Sequence, residues 1–157
     1  MTTHTHTIID TPLGDVVLTG DEHAVTGLAF AGEMPPPGGR DDVALAEPAR
    51  QVREYFAGAR TAFDLPLRLE GTDFDHEVWK AVAAIGYGKT ATYGELADRI
   101  GRPGAARAVG AANGRNPIAL IVPCHRVIGA AGALTGYAYG VDRKRALLEL
   151  EGVLLAA

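Results

Sequence analysis

The most informative stretch of the chain is residues 116–129, which read NPIALIVPCHRVIG. Its apolar centre, residues 118–122, predicts a buried strand that ends at Pro123, because proline cannot donate to a ladder of hydrogen bonds. A cysteine, a histidine and an arginine follow directly, and this Cys124 is the only cysteine of the chain. We therefore expect the chemistry of the protein to lie at the end of this buried segment.

Cys124 is a candidate nucleophile. A free cysteine has a pKa of about 8.5, and an adjacent histidine or arginine can lower it, so the triplet predicts a reactive thiolate. The triplet alone leaves two alternatives open: a buried structural cysteine beside a surface histidine, and a thiol hydrolase whose histidine is distant in sequence. A single cysteine excludes internal disulfides and zinc sites built from several cysteines, and it favours a reducing, cytoplasmic location.

The residues before this stretch predict three helices. The first follows the N-cap Thr72 and repeats apolar residues at helical spacing, with Trp79 in the core. The second begins near Tyr93, and the third covers residues 105 to about 114, after a turn with the sequence GRPG. Two short helices around a glycine-containing turn form a candidate helix-turn-helix.

The third helix has an unusual composition. Between residues 105 and 112 it contains only alanine and glycine apart from Arg107 and Val109, so its surface can approach another backbone closely. Packing against a neighbouring helix is one explanation. Insertion into the minor groove of DNA, with Arg107 as the one long probe, is the other.

The first part of the chain predicts a small α/β lobe. Short β-branched runs separated by turn residues indicate an antiparallel meander. His4 and His6 before it are expected in a disordered tail, the alternative being adventitious metal binding. The predicted elements are strands at residues 7–10, 16–19 and 24–30, a proline-rich break at 34–39, a helix at 43–56 and an edge strand at 63–67.

Charge is distributed unevenly along the 157 residues, which carry a net charge of −4. Residues 1–70 have five basic and 11 acidic side chains, whereas residues 71–157 have ten basic and eight acidic ones. Residues 99–141 contain five arginines and no acidic residue. Since a polyanion responds to the local field, this segment favours a nucleic-acid partner, the alternative being a solvated basic face. No apolar run approaches the roughly 20 residues of a membrane span, and the N-terminus does not resemble a signal peptide.

The motifs together resemble those of the O6-alkylguanine-DNA alkyltransferase family. The resemblance rests on PCHRV at residues 123–127 with Asn116 before it, and it extends over residues 71–152. The supporting segments are FDHEVWKAV (74–82), TYGELA (92–97), ARAVG (106–110), TGY (135–137), LLELEG (147–152) and, more loosely, DTPLG (10–14). The resemblance implies an α/β N-terminal lobe, residues 1–67, with a ribonuclease H-like fold and an antiparallel sheet. It also implies a mostly α C-terminal lobe, residues 71–157, with a winged helix-like helix-turn-helix.

The function implied by this resemblance is DNA repair. Members of the family flip O6-alkylguanine, and O4-alkylthymine, out of duplex DNA and transfer the alkyl group irreversibly to a cysteine, here Cys124. Flipping is required because the base stack hides the reacting atom. The resemblance further implies a monomer that binds double-stranded DNA through the minor groove and needs neither a metal nor an organic cofactor.

The same resemblance implies roles for individual residues. His125 would act as the base through a water, held by Glu151, while Asn116 would order the turn around Cys124. Tyr93 would help to rotate a phosphate and protonate the departing guanine, and Arg107 would fill the gap in the stack. The remaining DNA contacts would be Ala105, Ala106, Ala108, Gly110, Ala111 and Arg115, and the pocket would be lined by Val127, Thr135, Tyr137, Ala138 and Tyr139.

Two departures and two alternatives accompany this interpretation. Tyr139 stands where many relatives have glycine, which favours methyl and other small alkyl groups, and the N-terminal lobe has no cysteine for the zinc site of some relatives. A lesion-recognising module is one alternative, although such relatives lack the cysteine. A multiple-turnover thiol hydrolase is the other, and it would leave Arg107 and the small-residue helix unexplained.

Overall fold

The computed structural model describes residues 4–32, 35–36, 38–153 and 155 and divides the chain into two units, residues 1–70 and 71–157. In the first unit, β1 (Thr5–Ile9), β2 (Val16–Gly20) and β3 (Val25–Phe30) are consecutive antiparallel strands. Burial alternates regularly in β2, where Val16, Leu18 and Gly20 are buried and Val17 and Thr19 are not, as a period of two predicts. The antiparallel meander is confirmed.

A fourth strand makes this sheet mixed. β4 (Gly39–Arg40) pairs in parallel with β1, so the strand order is β3-β2-β1-β4. It follows the predicted proline-rich break, of which residues 34 and 37 lie outside the described part of the chain. His6 lies inside β1, with Nδ1 3.2 Å from the carbonyl of Gly38, so the expected disordered tail is wrong at this residue.

Two predicted elements of the first unit are shorter than expected. α1 (Ala46–Phe56) begins three residues after Val43, because the Asp41 side chain accepts a hydrogen bond from the amide of Ala44 at 2.9 Å and holds a turn there. Instead of an edge strand at residues 63–67, the structure has one bridge, between Val25 and Leu67. Pro66 has no amide hydrogen and contributes only its carbonyl, which limits the pairing.

The second unit contains α2 (Asp73–Ala83), α3 (Tyr93–Arg99), α4 (Ala106–Gly114) and α5 (Val141–Leu150). α2 and α3 both pack against α4. Thr72 and Thr92 each form a capping box at the start of the helix that follows, with Asp75 and Glu95 respectively. Trp79 is buried and donates a 2.8 Å hydrogen bond to the carbonyl of Ala112, which confirms its place in the core. None of the helices in the described ranges is long and apolar enough to span a membrane.

The predicted strand at residues 118–122 is wrong. Ile118 forms a single β-bridge, and the residues after it form a turn in which the amide of Val122 donates to the carbonyl of Ile118 at 3.0 Å and Leu120 has a φ of 69°. The apolar run reflects the burial of the turn, which a short run alone cannot distinguish from a strand.

A two-residue sheet that the sequence did not reveal lies beside this turn. β5 (Ala91–Thr92) pairs in parallel with β6 (Val127–Ile128). β5 runs directly into α3, and β6 directly follows Arg126. The pairing therefore holds the start of α3 next to the segment that carries the cysteine.

Candidate active site

Cys124 lies in a single turn of 3-10 helix, Cys124–Arg126, here named the cysteine turn. Two asparagines hold it from the preceding segment. Asn116 donates to the carbonyl of Val122 at 2.8 Å and accepts from the amide of Ile118 at 3.0 Å. Asn113, which the sequence interpretation missed, donates to the carbonyl of Cys124 at 3.3 Å. The cysteine is buried, with 6% of its surface exposed.

The side chain of His125 is fully enclosed and bound by a carboxylate. Its Nε2 lies 2.7 Å from Oε2 of Glu151, the residue that ends α5. An ionised carboxylate can only accept, so Nε2 carries the proton and Nδ1 presents its lone pair. Nδ1 has no hydrogen-bond partner among the described protein atoms. The imidazole is thereby arranged as a base.

The contacts of Arg126 differ from those expected of a residue that lowers the pKa of Cys124. Its Nε and Nη2 donate to the two oxygens of Glu151 at 2.8 and 3.0 Å, and Nη1 donates to the carbonyl of Ile85 at 2.7 Å. The guanidinium is buried with Glu151 as a bidentate pair. The positive charge is thus directed at the residue that orients His125, and not at the sulfur.

Burial sets the protonation of the pair Cys124–His125. It raises the pKa of the thiol, although a hydrogen bond from Asn116 and the charge of Lys144 act in the opposite direction. It also lowers the pKa of His125. Removal of solvent therefore favours the neutral thiol and the neutral imidazole, whereas the neighbouring donors favour the thiolate that the sequence predicts.

Tyr93, the first residue of α3, projects towards a loop formed by residues 133–140, here named the tyrosine loop. Its hydroxyl donates to the carbonyl of Thr135 at 3.3 Å. A Cβ placed on Gly110 of α4 would lie 3.5 Å from the Tyr93 ring, an ordinary contact distance, so the ring packs closely beside α4. Burial raises the pKa of Tyr93, which keeps the phenol protonated and able to donate.

The tyrosine loop contains two phenol side chains that contact each other. The rings of Tyr137 and Tyr139 meet edge to face, with centroids 5.5 Å apart and planes at 73°. Burial raises the pKa of both, and the hydroxyl of Tyr137 is enclosed without a partner among the described protein atoms. Val127, also predicted to line the pocket, is buried in β6, while Thr135 and Ala138 are exposed.

The predicted DNA-binding residues mark one face of α4 and its ends. Arg107, Ala108 and Ala111 are exposed, whereas Ala105, Ala106 and Gly110 are half-buried. A cleft of about 390 Å³ runs between this face and the tyrosine loop. Its lining residues are Tyr93, Ala106, Arg107, Gly110, Thr135 and Gly136.

The five arginines of the acid-free segment, residues 99–141, are less available to bind a nucleic acid than the sequence indicates. Four of them meet carboxylates within the second unit: Arg99–Glu95, Arg102–Glu77, Arg115–Asp75 and Arg126–Glu151. Arg115, expected at the DNA, has its guanidinium 2.6 Å from the buried carboxylate of Asp75. Within the described ranges, Arg107 is the one member of this set that has no carboxylate partner.

No cluster of three or more histidine, cysteine, aspartate or glutamate side chains suited to a metal ion occurs within the described ranges. The groups that the site supplies for chemistry include the buried thiol, the imidazole–carboxylate pair and the phenols. All of these groups belong to the second unit, residues 71–157.

Two family models match the chain. Residues 5–69 match the ribonuclease-like domain of 6-O-methylguanine DNA methyltransferase, and residues 73–153 match its DNA binding domain. The matches together cover both units.

Curated relatives and solved structures agree with these matches. A methylated-DNA–protein-cysteine methyltransferase of Mycobacterium tuberculosis is 54% identical over 147 residues, covering 91% of this chain and 89% of the relative. One of Methanosarcina acetivorans is 49% identical, with 94% and 97% covered. The crystal structure of Mycobacterium tuberculosis O6-methylguanine methyltransferase superposes with a TM-score of 0.90 at 51% identity, covering 99% of this chain and 97% of that one. The structure of Mycobacterium tuberculosis OGT in complex with DNA gives 0.87 at 53% identity, with 94% and 92% covered.

Proposed function

The chain belongs to the 6-O-methylguanine DNA methyltransferase family, and we propose that it repairs DNA by transferring the alkyl group of O6-alkylguanine to its own Cys124. The observation that carries the proposal is the cysteine turn, in which the only cysteine adjoins a buried histidine bound to a carboxylate. The relatives' name, methylated-DNA–protein-cysteine methyltransferase, supports cysteine as the acceptor. A relative in complex with DNA supports DNA as the partner.

Access to the lesion requires the base to leave the duplex, because stacking hides the O6 substituent. We place α4 in the minor groove, where its exposed Ala108 and Ala111 allow the backbone to approach the DNA closely. Arg107, exposed and without an ion pair in the described ranges, would occupy the gap left by the flipped base. Arg115 already donates a hydrogen bond to Asp75, and it would contact DNA while keeping that bond.

The transfer step follows from the protonation of the site. A water would carry the proton of the Cys124 thiol to Nδ1 of His125, whose charge Glu151 stabilises. The sulfur then forms a bond to the alkyl carbon while the bond from that carbon to O6 breaks. The electron pair passes to the guanine, and the Tyr93 phenol donates a proton to the ring as it leaves. The product is a thioether, so one protein molecule repairs one lesion and no cofactor takes part.

The tyrosine loop would form the pocket for the flipped base. Tyr137 and Tyr139, whose rings are in contact, would supply an aromatic wall. Val127, Thr135 and Ala138 would complete the lining. The ring of Tyr139 occupies space that glycine would leave open, which favours methyl and small alkyl groups on guanine, and on O4 of thymine. We further propose that the protein acts as a cytoplasmic monomer and that residues 1–67 support the DNA-binding lobe, residues 71–157.

Intact and peptide mass spectrometry after mixing with a duplex carrying one O6-methylguanine tests this function. We expect a gain of one methylene on the peptide that contains Cys124, saturating at one per molecule. An unmodified protein that still binds the lesion would instead support a recognition module, and repeated turnover would support a hydrolase. The absence of both modification and binding would refute the proposal.

Two variants separate chemistry from base flipping. Cys124→Ala should lose transfer and keep binding to lesion DNA. Arg107→Ala should slow transfer from a duplex much more than transfer from the free modified base. Equal slowing in both substrates would contradict the role of Arg107 in the stack.

A further inference from the structure

Lys144 on α5 is a fully buried lysine that the chemistry proposed above does not use. None of its surface is exposed, and its Nζ donates to the carbonyl of Thr135 at 2.8 Å. No carboxylate in the described ranges lies within ion-pair distance of it, although a buried ammonium is normally paired with an acid. Burial lowers its pKa to about 8, so it is mostly charged at neutral pH. The titratable groups that interact electrostatically with it are Cys124 and His125 of the cysteine turn.

The carbonyl of Thr135 accepts hydrogen bonds from two helices. Lys144 of α5 approaches it at 2.8 Å, and the hydroxyl of Tyr93, at the start of α3, approaches it at 3.3 Å. Thr135 itself is exposed, so these two bonds fix its carbonyl at the rim of the cleft. Of the two donors, the phenol makes the longer bond and is the one that a substrate can attract away.

We propose that Lys144 is a positioning residue for alkyl transfer: its ammonium holds the Thr135 carbonyl, against which the Tyr93 hydroxyl is held until guanine replaces the carbonyl as its acceptor. The inference rests on the proposed function, in which Tyr93 protonates the departing guanine. Lys144 retains the carbonyl when the phenol leaves it, so the tyrosine loop keeps its place during the reaction. Lys144 therefore acts on the reaction through Tyr93.

A double-mutant cycle tests this coupling. Single-turnover transfer from an O6-methylguanine duplex to Cys124 is followed by mass for the wild type, Lys144→Met, Tyr93→Phe and the double variant. We expect Lys144→Met to slow transfer on the order of tenfold to a hundredfold, as loss of a positioning contact does. In the Tyr93→Phe background it should cost less than about threefold, because the group that it positions is absent. Lys80→Met, which removes an exposed lysine of α2, should leave the rate unchanged.

Thermal unfolding distinguishes positioning from support of the fold. Because methionine removes a buried charge without a carboxylate partner, Lys144→Met should not lower the melting temperature while it slows transfer. If that variant does not fold, Lys144→Gln, whose amide keeps a donor, replaces it in the same cycle. Rate losses that multiply in the double variant, or a Lys144 variant with the wild-type rate, would overturn the inference. A wild-type protein that transfers nothing would refute the proposed function itself, which is a different result.

Discussion

At the scale of single residues, the buried ion pair Arg126–Glu151 allows a prediction about stability. We expect Arg126→Gln to lower the free energy of unfolding by about 3–5 kcal/mol, because Glu151 would remain buried without a counter-charge. Denaturation by urea at neutral pH measures this loss. Arg99→Gln is the matched control: its side chain is 51% exposed and 3.8 Å from Glu95, so its loss should stay below about 1 kcal/mol. Equal losses in the two variants would contradict the assignment.

The buried imidazole of His125 gives stability a pH dependence. Burial lowers its pKa below the ordinary value of about 6.5. Between the two pKa values the unfolded chain binds a proton that the folded chain does not, so the free energy of unfolding falls as the pH drops below about 6.5. Urea denaturation should show this decline between pH 7, where Lys144 with its pKa of about 8 is mostly charged, and pH 5.5. His125→Asn should flatten the decline, and an unchanged slope in this variant would exclude His125 as its source.

Site residues that adjoin in the sequence or belong to the family motifs could be predicted at this scale, whereas the burial of a charged side chain could not. Cys124 and His125 adjoin in the chain, and the PCHRV resemblance pointed to Glu151, which the structure places 2.7 Å from His125. The buried lysine is different. In the sequence, Lys144 stands between two arginines on a helix with a polar composition, and only the packing of α5 against the cysteine turn encloses it. Burial of a charged side chain depends on that tertiary packing, which a local pattern does not record.

At the scale of elements, helices with strong caps were predictable and the short segments at the site were not. Thr72 and a period of 3.6 residues identified α2 within a few residues of its observed end. Residues 118–122 form a turn because the side chain of Asn116 hydrogen-bonds across it, replacing the strand pairing that the apolar run suggested. The two-residue pair β5–β6 carries too little sequence signal to be found without the fold that brings its strands together.

The exposed face of α4 allows a prediction about DNA affinity at the same scale. A glutamate at position 111 would place a negative charge on the surface proposed to enter the minor groove. We therefore expect Ala111→Glu to weaken binding to duplex DNA at least tenfold, by about 1.4 kcal/mol or more, while transfer from the free modified base stays unchanged. Fluorescence anisotropy with a labelled duplex measures the affinity. Ala83→Glu adds the same charge at an exposed residue that ends α2, and equal weakening by both variants would argue against α4 as the contact surface.

At the scale of the whole molecule, the ion pairs change what the charge distribution means. The sequence shows five arginines in an acid-free segment. In the structure, four of them form ion pairs with carboxylates that lie outside that segment in the sequence. The protein as a whole is acidic, with a net charge of −4. Under the proposed function, recognition would therefore depend on a small number of cations and on the shape of α4, with Arg107 available to act inside the duplex.

This arrangement predicts a shallow salt dependence of DNA binding. Each phosphate neutralised contributes about −0.9 to the slope of log K against log salt concentration, so two or three phosphates give a slope of roughly −2 to −3. Duplex binding measured between 50 and 200 mM salt, a range of about 0.6 logarithmic units, should then weaken by roughly fifteen-fold to sixty-fold. Arg107→Ala should leave the slope nearly unchanged if its guanidinium lies in the base stack. A slope of about −6 or steeper would show that the paired arginines exchange their carboxylates for phosphates, and it would restore the basic segment as the main source of affinity.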